Sequence, residues 1–477
     1  MEHPKIIQGG MGVAVSSWKL AKAVSSQGAL GVVSGTALDI VLARRLQQGD
    51  TDGSARRALA AFPDAGTAER ILSDWFNPEG TEDSHDFKQV PLRTLGDSSL
   101  DALTAAGNFV EVFLAKEGHS GAVGINFLEK IQLPNPAAIY GAMLAGVDYV
   151  LMGAGIPLEI PGLLDSYSRG EGGEISVQIE GAEKGERHVV RFEPSSILEN
   201  PPKTMKRPYF LSIVSSYILA ATMASRATGR VDGIVVENHL AGGHNAPPRG
   251  VLSMDENGEP MYGPKDTVDY AKMVGLSIPF WLGGSYSMEE SLEKAGSEGA
   301  WGIQVGTLFA FCRESGVLPE LKKRFLEAVA AGKEAVFTHP LASPTGYPFK
   351  FAVLRETLSE KVEMVKRIRV CNIGLLRQLY KTPEGKIGYR CPAEKEEAFA
   401  RKGGDRSISS EARCLCNALM ANVGLGMKYA GGYLEKPLLT VGSQLESLRR
   451  LIRKAGFDYT AADVVRFLSA RPAKAAE

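Results

Sequence analysis

The residues with most chemical potential in this chain are glycines placed directly after short apolar runs. The segment from Phe280 to Phe309, FWLGGSYSMEESLEKAGSEGAWGIQVGTLF, holds two strand-like runs, one ending at Gly283, Gly284 and Ser285 and the other at Gly306 and Thr307. Between them a short helix is expected, started by a capping box from Ser287 to Glu290 and stopped by Gly296. Glycines just after parallel strands let backbone N–H groups approach a ligand with no Cβ in the way, which is how a phosphate is held. In an eight-stranded (β/α) barrel the loops after the seventh and eighth strands are the usual phosphate site. This pair of turns therefore predicts both that fold and a phosphorylated ligand.

Three more clusters follow apolar runs: Gln8-Gly9-Gly10-Met11-Gly12, Ser34-Gly35 and Ala241-Gly242-Gly243-His244. Each alone fits an ordinary tight turn. Five on one predicted face imply a large flat ligand lying over the barrel mouth. Two polar residues stand out beside them. Asn126 ends an apolar strand with an amide that both donates and accepts. His244 is the only one of the 7 histidines to follow a glycine pair at such a strand end.

The elements that must position these residues are legible as alternating strand and helix patterns. Strands are expected near Ile6 and at Leu30 to Val33, Val123 to Asn126, Tyr149 to Met152, Phe210 to Val214, Gly233 to Val236, Phe280 to Leu282 and Gly302 to Val305. The fold class is thus α/β, a (β/α)8 TIM barrel over residues 1–315, with insertions at about 51–120 and 159–205. The first should form extra helices. In the second, Gly172 to Glu193 alternates like a β-hairpin, which either borders the active site or serves as a surface or homo-oligomer contact. Residues 316–477 read as a mostly helical extension, with Leu318, Leu321 and Phe325 on one face and Leu445, Leu448, Leu451 and Ile452 on another. The final ARPAKAAE is expected to fray.

At 477 residues the chain exceeds the roughly 250 of a bare barrel, which is why a second region is needed. Lys plus Arg (54) nearly cancel Asp plus Glu (55), so neither nucleic acid nor an anionic membrane is favoured as partner, and a small-molecule enzyme is expected. The start MEHPKIIQGG has no signal-peptide pattern and no apolar run spans a bilayer, which predicts a cytoplasmic protein.

The set IIQGGMG at Ile6, GALGVVSG at Gly28, VGINF at Val123, GVDYVLMGAGIP at Gly146, VDGIVVENHLAGGH at Val231, LGGS at Leu282 and GIQVGTLF at Gly302 resembles a known family. These are the flavin mononucleotide (FMN) barrels that include nitronate monooxygenases, formerly 2-nitropropane dioxygenases, and the flavin-dependent enoyl reductases of fatty-acid synthesis. The resemblance covers about residues 5–315. It implies that FMN lies with its ring against Gly10, Met11 and Gly12, near Asn126. Its phosphate would be held by Gly243, Gly283, Gly284, Gly306 and Thr307, with Gly242 and Ser285 also binding the cofactor. It further implies that His244 contacts the substrate and transfers a proton or binds an oxyanion. His239, on the same turn, is not required by the pattern. The chain departs from the family after AGGH, reading NAPPRG, where two prolines stiffen the loop. Arg249 in that loop is expected to receive an anionic substrate group such as a nitronate or carboxylate.

Cys371, Cys391, Cys414 and Cys416 fall in the C-terminal region, with Cys312 alone in the barrel. Four thiols, two of them in a C-x-C pair, are types that ligate zinc or an iron–sulfur cluster. Their spacing matches no standard metal motif, so they are read as buried free thiols with no metal.

The function expected from the resemblance is FMN-dependent oxidation of alkyl nitronates or nitroalkanes with O2. The alternative is NAD(P)H-dependent reduction of an unsaturated thioester, carried by an acyl carrier protein in fatty-acid or polyketide synthesis, since one barrel serves both activities. A flavin-free barrel like inosine monophosphate dehydrogenase would need a loop cysteine as nucleophile, and none is present.

Overall fold

The computed structural model describes residues 3–470, so the fraying expected at the C-terminus falls, beyond Ala470, outside the described residues. Eight parallel strands run Ile6–Gln8, Gly31–Ser34, Val123–Leu128, Tyr149–Gly153, Tyr209–Val214, Gly233–Glu237, Phe280–Gly283 and Gly302–Val305. Each pairs with its sequence neighbour among these eight, and the first pairs with the last through Ile6 opposite Ile303. A bridge between Ile7 and Leu30 closes the ring, so every expected strand is present in a (β/α)8 barrel.

These runs are apolar on both faces because both are buried, as parallel strands require. Ile7, Leu30, Val32, Tyr149, Leu151, Leu211, Val235 and Trp281 fill the barrel interior as one cluster. The alternate residues, such as Val33, Ile125, Val150 and Ile303, pack outward under the helices. The helices Asp101–Lys116 and Asn135–Leu144 approach so closely that a Cβ on Gly141 would lie 2.0 Å from the carbonyl oxygen of Ala105.

Residues 51–120 form the helices Ser54–Ala60 and Ala65–Trp75 before the crossover helix Asp101–Lys116. The expected hairpin is present: Gly173–Ser176 pairs antiparallel with Val189–Phe192. Neither of its strands reaches the barrel mouth. Instead Ile179 and Glu180, between them, pair with Leu379 and Tyr380 of the C-terminal region.

That region carries the helices Pro319–Ala330, Glu446–Ala455 and Ala461–Ser469, and it also contributes four strands. Val336–His339 pairs with Phe349–Ala352, and the latter pairs in turn with Gly243–His244 of the barrel. Gln378–Lys381 and Ile387–Arg390 form the sheet that receives Ile179 and Glu180. Leu321 and Phe325 are buried, whereas Leu318 sits at the helix N-cap and is exposed. Leu445, Leu448, Leu451 and Ile452 all enter the core shared with the barrel. Among the described residues no helix is long and apolar enough to cross a membrane.

Candidate active site

The carboxyl ends of the strands open on a cavity lined by Gly10, Met11, Gly12, Asn126, Gly242, Gly243, His244, Gly284, Ser285, Gly306 and Thr307. Two residues expected there are not brought in. Gly283 is the buried last residue of the seventh strand, and a Cβ built on it would meet Gln304 and Glu237 at ordinary contact distance. Arg249 is exposed, does not line the cavity, and donates its backbone N–H to Asp266 Oδ1 at 2.9 Å. The proline-stiffened loop carries it outward, away from the pocket it was expected to cover.

The first turn is fixed from beneath. The Gln8 side chain donates to Ser16 Oγ at 2.8 Å and accepts from the Val32 N–H at 2.9 Å, while Ser16 Oγ accepts from the Met11 N–H at 2.9 Å. Gly12 takes the left-handed conformation, φ 58°, which a side chain disfavours. Asn126 Nδ2 reaches the Gly10 carbonyl at 3.4 Å, and its Oδ1 is buried with no partner.

Two residues that the sequence reading missed stand beside it. Glu237 ends the sixth strand and Gln304 lies near the end of the eighth, and both line the cavity. Gln304 Nε2 donates to Glu237 Oε2 at 3.2 Å, while Gln304 Oε1 is buried and unpartnered. Burial pushes the Glu237 carboxyl up to about 7, with the Gln304 hydrogen bond opposing. The signal that singled out Asn126, a polar residue closing an apolar strand, is present in GIVVE as well, whereas in GIQV the polar residue stands one place before the end.

His244 is held by the C-terminal region. Its short strand pairs with Phe349, its ring meets the Phe349 ring edge to face at 4.9 Å, and its Nε2 lies 2.7 Å from Ser343 Oγ. Burial pushes the imidazole down to about 4, so it is neutral near pH 7. His239 instead stacks on Tyr262 at 4.1 Å.

The phosphate-type turns meet the same region. The Gly442 N–H donates to Thr307 Oγ1 at 2.9 Å, and the Ser443 N–H donates to the Leu240 carbonyl at 2.9 Å. Lys350 Nζ, buried, joins the His239 carbonyl at 2.6 Å to Ser443 Oγ at 2.5 Å. A Cβ on Gly242 would sit 2.5 Å from the carbonyl carbon of Val441. Gly242 is therefore needed for the passage of the C-terminal backbone, whatever else it touches. Phe349, Leu375, Leu376, Leu415 and Leu419 give the wall an apolar stretch beside polar residues such as Thr36, Thr440 and Gln444, and among the described residues no Lys or Arg lines the cavity.

No protein-family model and no curated protein matches this chain. Solved structures similar to it include FabK from Thermotoga maritima, at 17% identity and TM-score 0.45 over 98% of this chain and 92% of that one. A nitroalkane oxidase from Streptomyces ansochromogenes is 14% identical, TM-score 0.44, over 98% and 94%. The enoyl reductase domain of MlnA, from the macrolactin cluster of Bacillus amyloliquefaciens, is 10% identical, TM-score 0.49, over 98% and 93%. Values this low carry no inference about activity.

Proposed function

We propose that the chain is a flavin-dependent oxidoreductase, with FMN at the barrel mouth, that oxidises nitroalkanes with O2. The observation carrying this reading is the convergence on one cavity of the strand-end glycines with two buried, unpartnered acceptors, Asn126 Oδ1 and Gln304 Oε1. Such acceptors need donors, and the ring N–H and the side-chain hydroxyls of a flavin are donors of that kind. The turns at Gly243, Gly284, Gly306 and Thr307 are suited to its phosphate. A flavin held there would supply the electron acceptor, with O2 as the final oxidant.

The remaining chemistry belongs to the chain. With no cation on the wall and Arg249 outside, an uncharged nitroalkane suits the cavity better than a preformed nitronate. Oxidising it begins with loss of the proton next to the nitro group. Glu237, raised to about 7, is a base matched to neutral pH, and Gln304 orients it through one carboxylate oxygen. His244, neutral and held by Ser343, contributes a hydrogen bond to the substrate without adding charge.

A second reading, NAD(P)H-dependent reduction of an unsaturated thioester, is favoured by the apolar wall. A neutral imidazole can polarise a thioester carbonyl by hydrogen bonding. The experiment that separates the two is anaerobic mixing of purified protein with NADPH and, separately, with a nitroalkane. Bleaching of the flavin by the nitroalkane alone supports oxidation, and bleaching by NADPH alone supports reduction. A purified protein without yellow colour that does not take up FMN defeats both.

A further inference from the structure

We propose that Cys371, Cys391, Cys414 and Cys416 bind an iron–sulfur cluster of the [4Fe–4S] type. The four come from three separate stretches of the C-terminal region, yet all of them line one small cavity. Their spacing matches no familiar motif because tertiary structure, not local sequence, gathers them.

One of the sulfurs is met by a hydrogen-bond donor. The side-chain amide of Asn417 lies 3.5 Å from Cys414 Sγ. A buried free thiol behaves as a small hydrophobe with a weak S–H donor and needs none of this. Cysteinates on a cluster do, since N–H bonds to sulfur stabilise the charge and tune the potential.

Positive charge surrounds the same spot. Arg377 lines the cavity, and the guanidinium groups of Arg367 and Arg369 both reach the carbonyl of Ala393, another lining residue, at 3.5 and 3.4 Å. Arg367 is paired with Glu435. Arg369 hydrogen-bonds to the Pro392 carbonyl at 2.7 Å and to Ser409, and among the described residues it makes no ion pair. It does so at φ 58°, a backbone conformation that arginine rarely adopts. Four thiolates around iron and sulfide carry net negative charge, a countercharge that Arg369 and Arg377 lack among the described residues.

A single ion is the lesser fit. Among the described residues no three His, Cys, Asp or Glu side chains are arranged to hold one metal ion. Zinc needs its sulfurs about 2.3 Å from a common point. In a cubane cluster each cysteine binds a different iron, so the sulfurs stand around it at wider spacing. Leu376, Leu415 and Cys416 line both this cavity and the barrel mouth, placing the cluster immediately behind the active-site wall.

The test is iron and acid-labile sulfide analysis of the full chain, after anaerobic purification and reconstitution with ferrous iron and sulfide. About four of each per chain, with a paramagnetic signal on reduction, is the result expected of a cluster held by four cysteines. Cys371→Ser and Cys414→Ser should each lose most of the iron, while Cys312→Ser, whose thiol is bonded to the Phe309 carbonyl in the barrel, should retain it. No iron after reconstitution, zinc without sulfide, or full iron in the Cys371→Ser and Cys414→Ser proteins would each overturn the proposal. If those variants do not fold, the metal and sulfide content of the unaltered chain still decides. None of these readouts depends on flavin.

Discussion

His244 Nε2 and the hydroxyl of Ser343 stand 2.7 Å apart, joining the barrel's sixth strand-end turn to a loop of the C-terminal region. The barrel alone therefore does not determine the orientation of its most distinctive histidine. The strand pairing of His244 with Phe349 and the closure of Thr307 by the Gly442 N–H make the same point: the C-terminal region is part of the site.

From that contact we expect Ser343→Ala to keep the flavin bound and to lower turnover about tenfold, the order of one lost hydrogen bond. His244→Ala should keep the yellow colour and lose about 10²–10³-fold, as removal of one hydrogen-bond donor to developing charge does. Flavin absorbance and steady-state rates measure both. Unchanged turnover in Ser343→Ala would show that the hydroxyl does not position the ring.

Glu237 should govern the pH profile. Its carboxyl is raised from 4.5 to about 7, so it is protonated and inactive as a base below that value and ionised above it. We expect kcat/KM with a nitroalkane to rise with pH through about 7. In Glu237→Gln the limb should vanish and the rate fall by about 10²–10⁴-fold. A limb that persists in Glu237→Gln would assign the titration to another group.

How much of this was legible in the sequence depends on the range of the forces involved. Eight strand runs announce themselves because burial on both faces makes them continuously apolar, and Asn126 is visible as a polar residue ending one of them. Glu237 carries that signal too, while Gln304 stands one residue before its strand's end, and on both turns the nearby glycines are the more conspicuous feature. Ser287 shows where local logic fails. Its hydroxyl lies 2.8 Å from Ser447 Oγ, and the helix expected to start there begins at Ser291, whose Oγ accepts from the Met288 N–H. Gly242 looks like a ligand contact in sequence because nothing local reveals that Val441 passes beside it. The apolar wall from Leu375 to Leu419 has no local signature either, since it exists only once the C-terminal region is docked.

Two glycine substitutions should have opposite signs. Gly242→Ala forces a Cβ to within 2.5 Å of Val441 and should destabilise by about 1–3 kcal/mol, as overpacking does, while loosening the segment around Gly442. Gly296→Ala lies inside the helix Ser291–Ser297 with nothing within 4 Å of the new Cβ, and should stabilise by roughly 0.5–1 kcal/mol. Thermal midpoints compare them. A neutral Gly242→Ala would mean that the C-terminal segment yields without cost.

The buried pair Arg367–Glu435 should behave asymmetrically. The side chains are 4% and 0% exposed, Arg367 Nη2 lies 2.7 Å from Glu435 Oε1, and Tyr429 also donates to that oxygen at 3.0 Å. Breaking the pair from one side leaves a charge buried without compensation, so Arg367→Met or Glu435→Leu should each cost about 3–5 kcal/mol. The double variant should cost clearly less than the sum, because no orphaned charge remains. Denaturant titration of the three proteins gives the coupling directly, and simple additivity would mean that the two groups do not depend on each other.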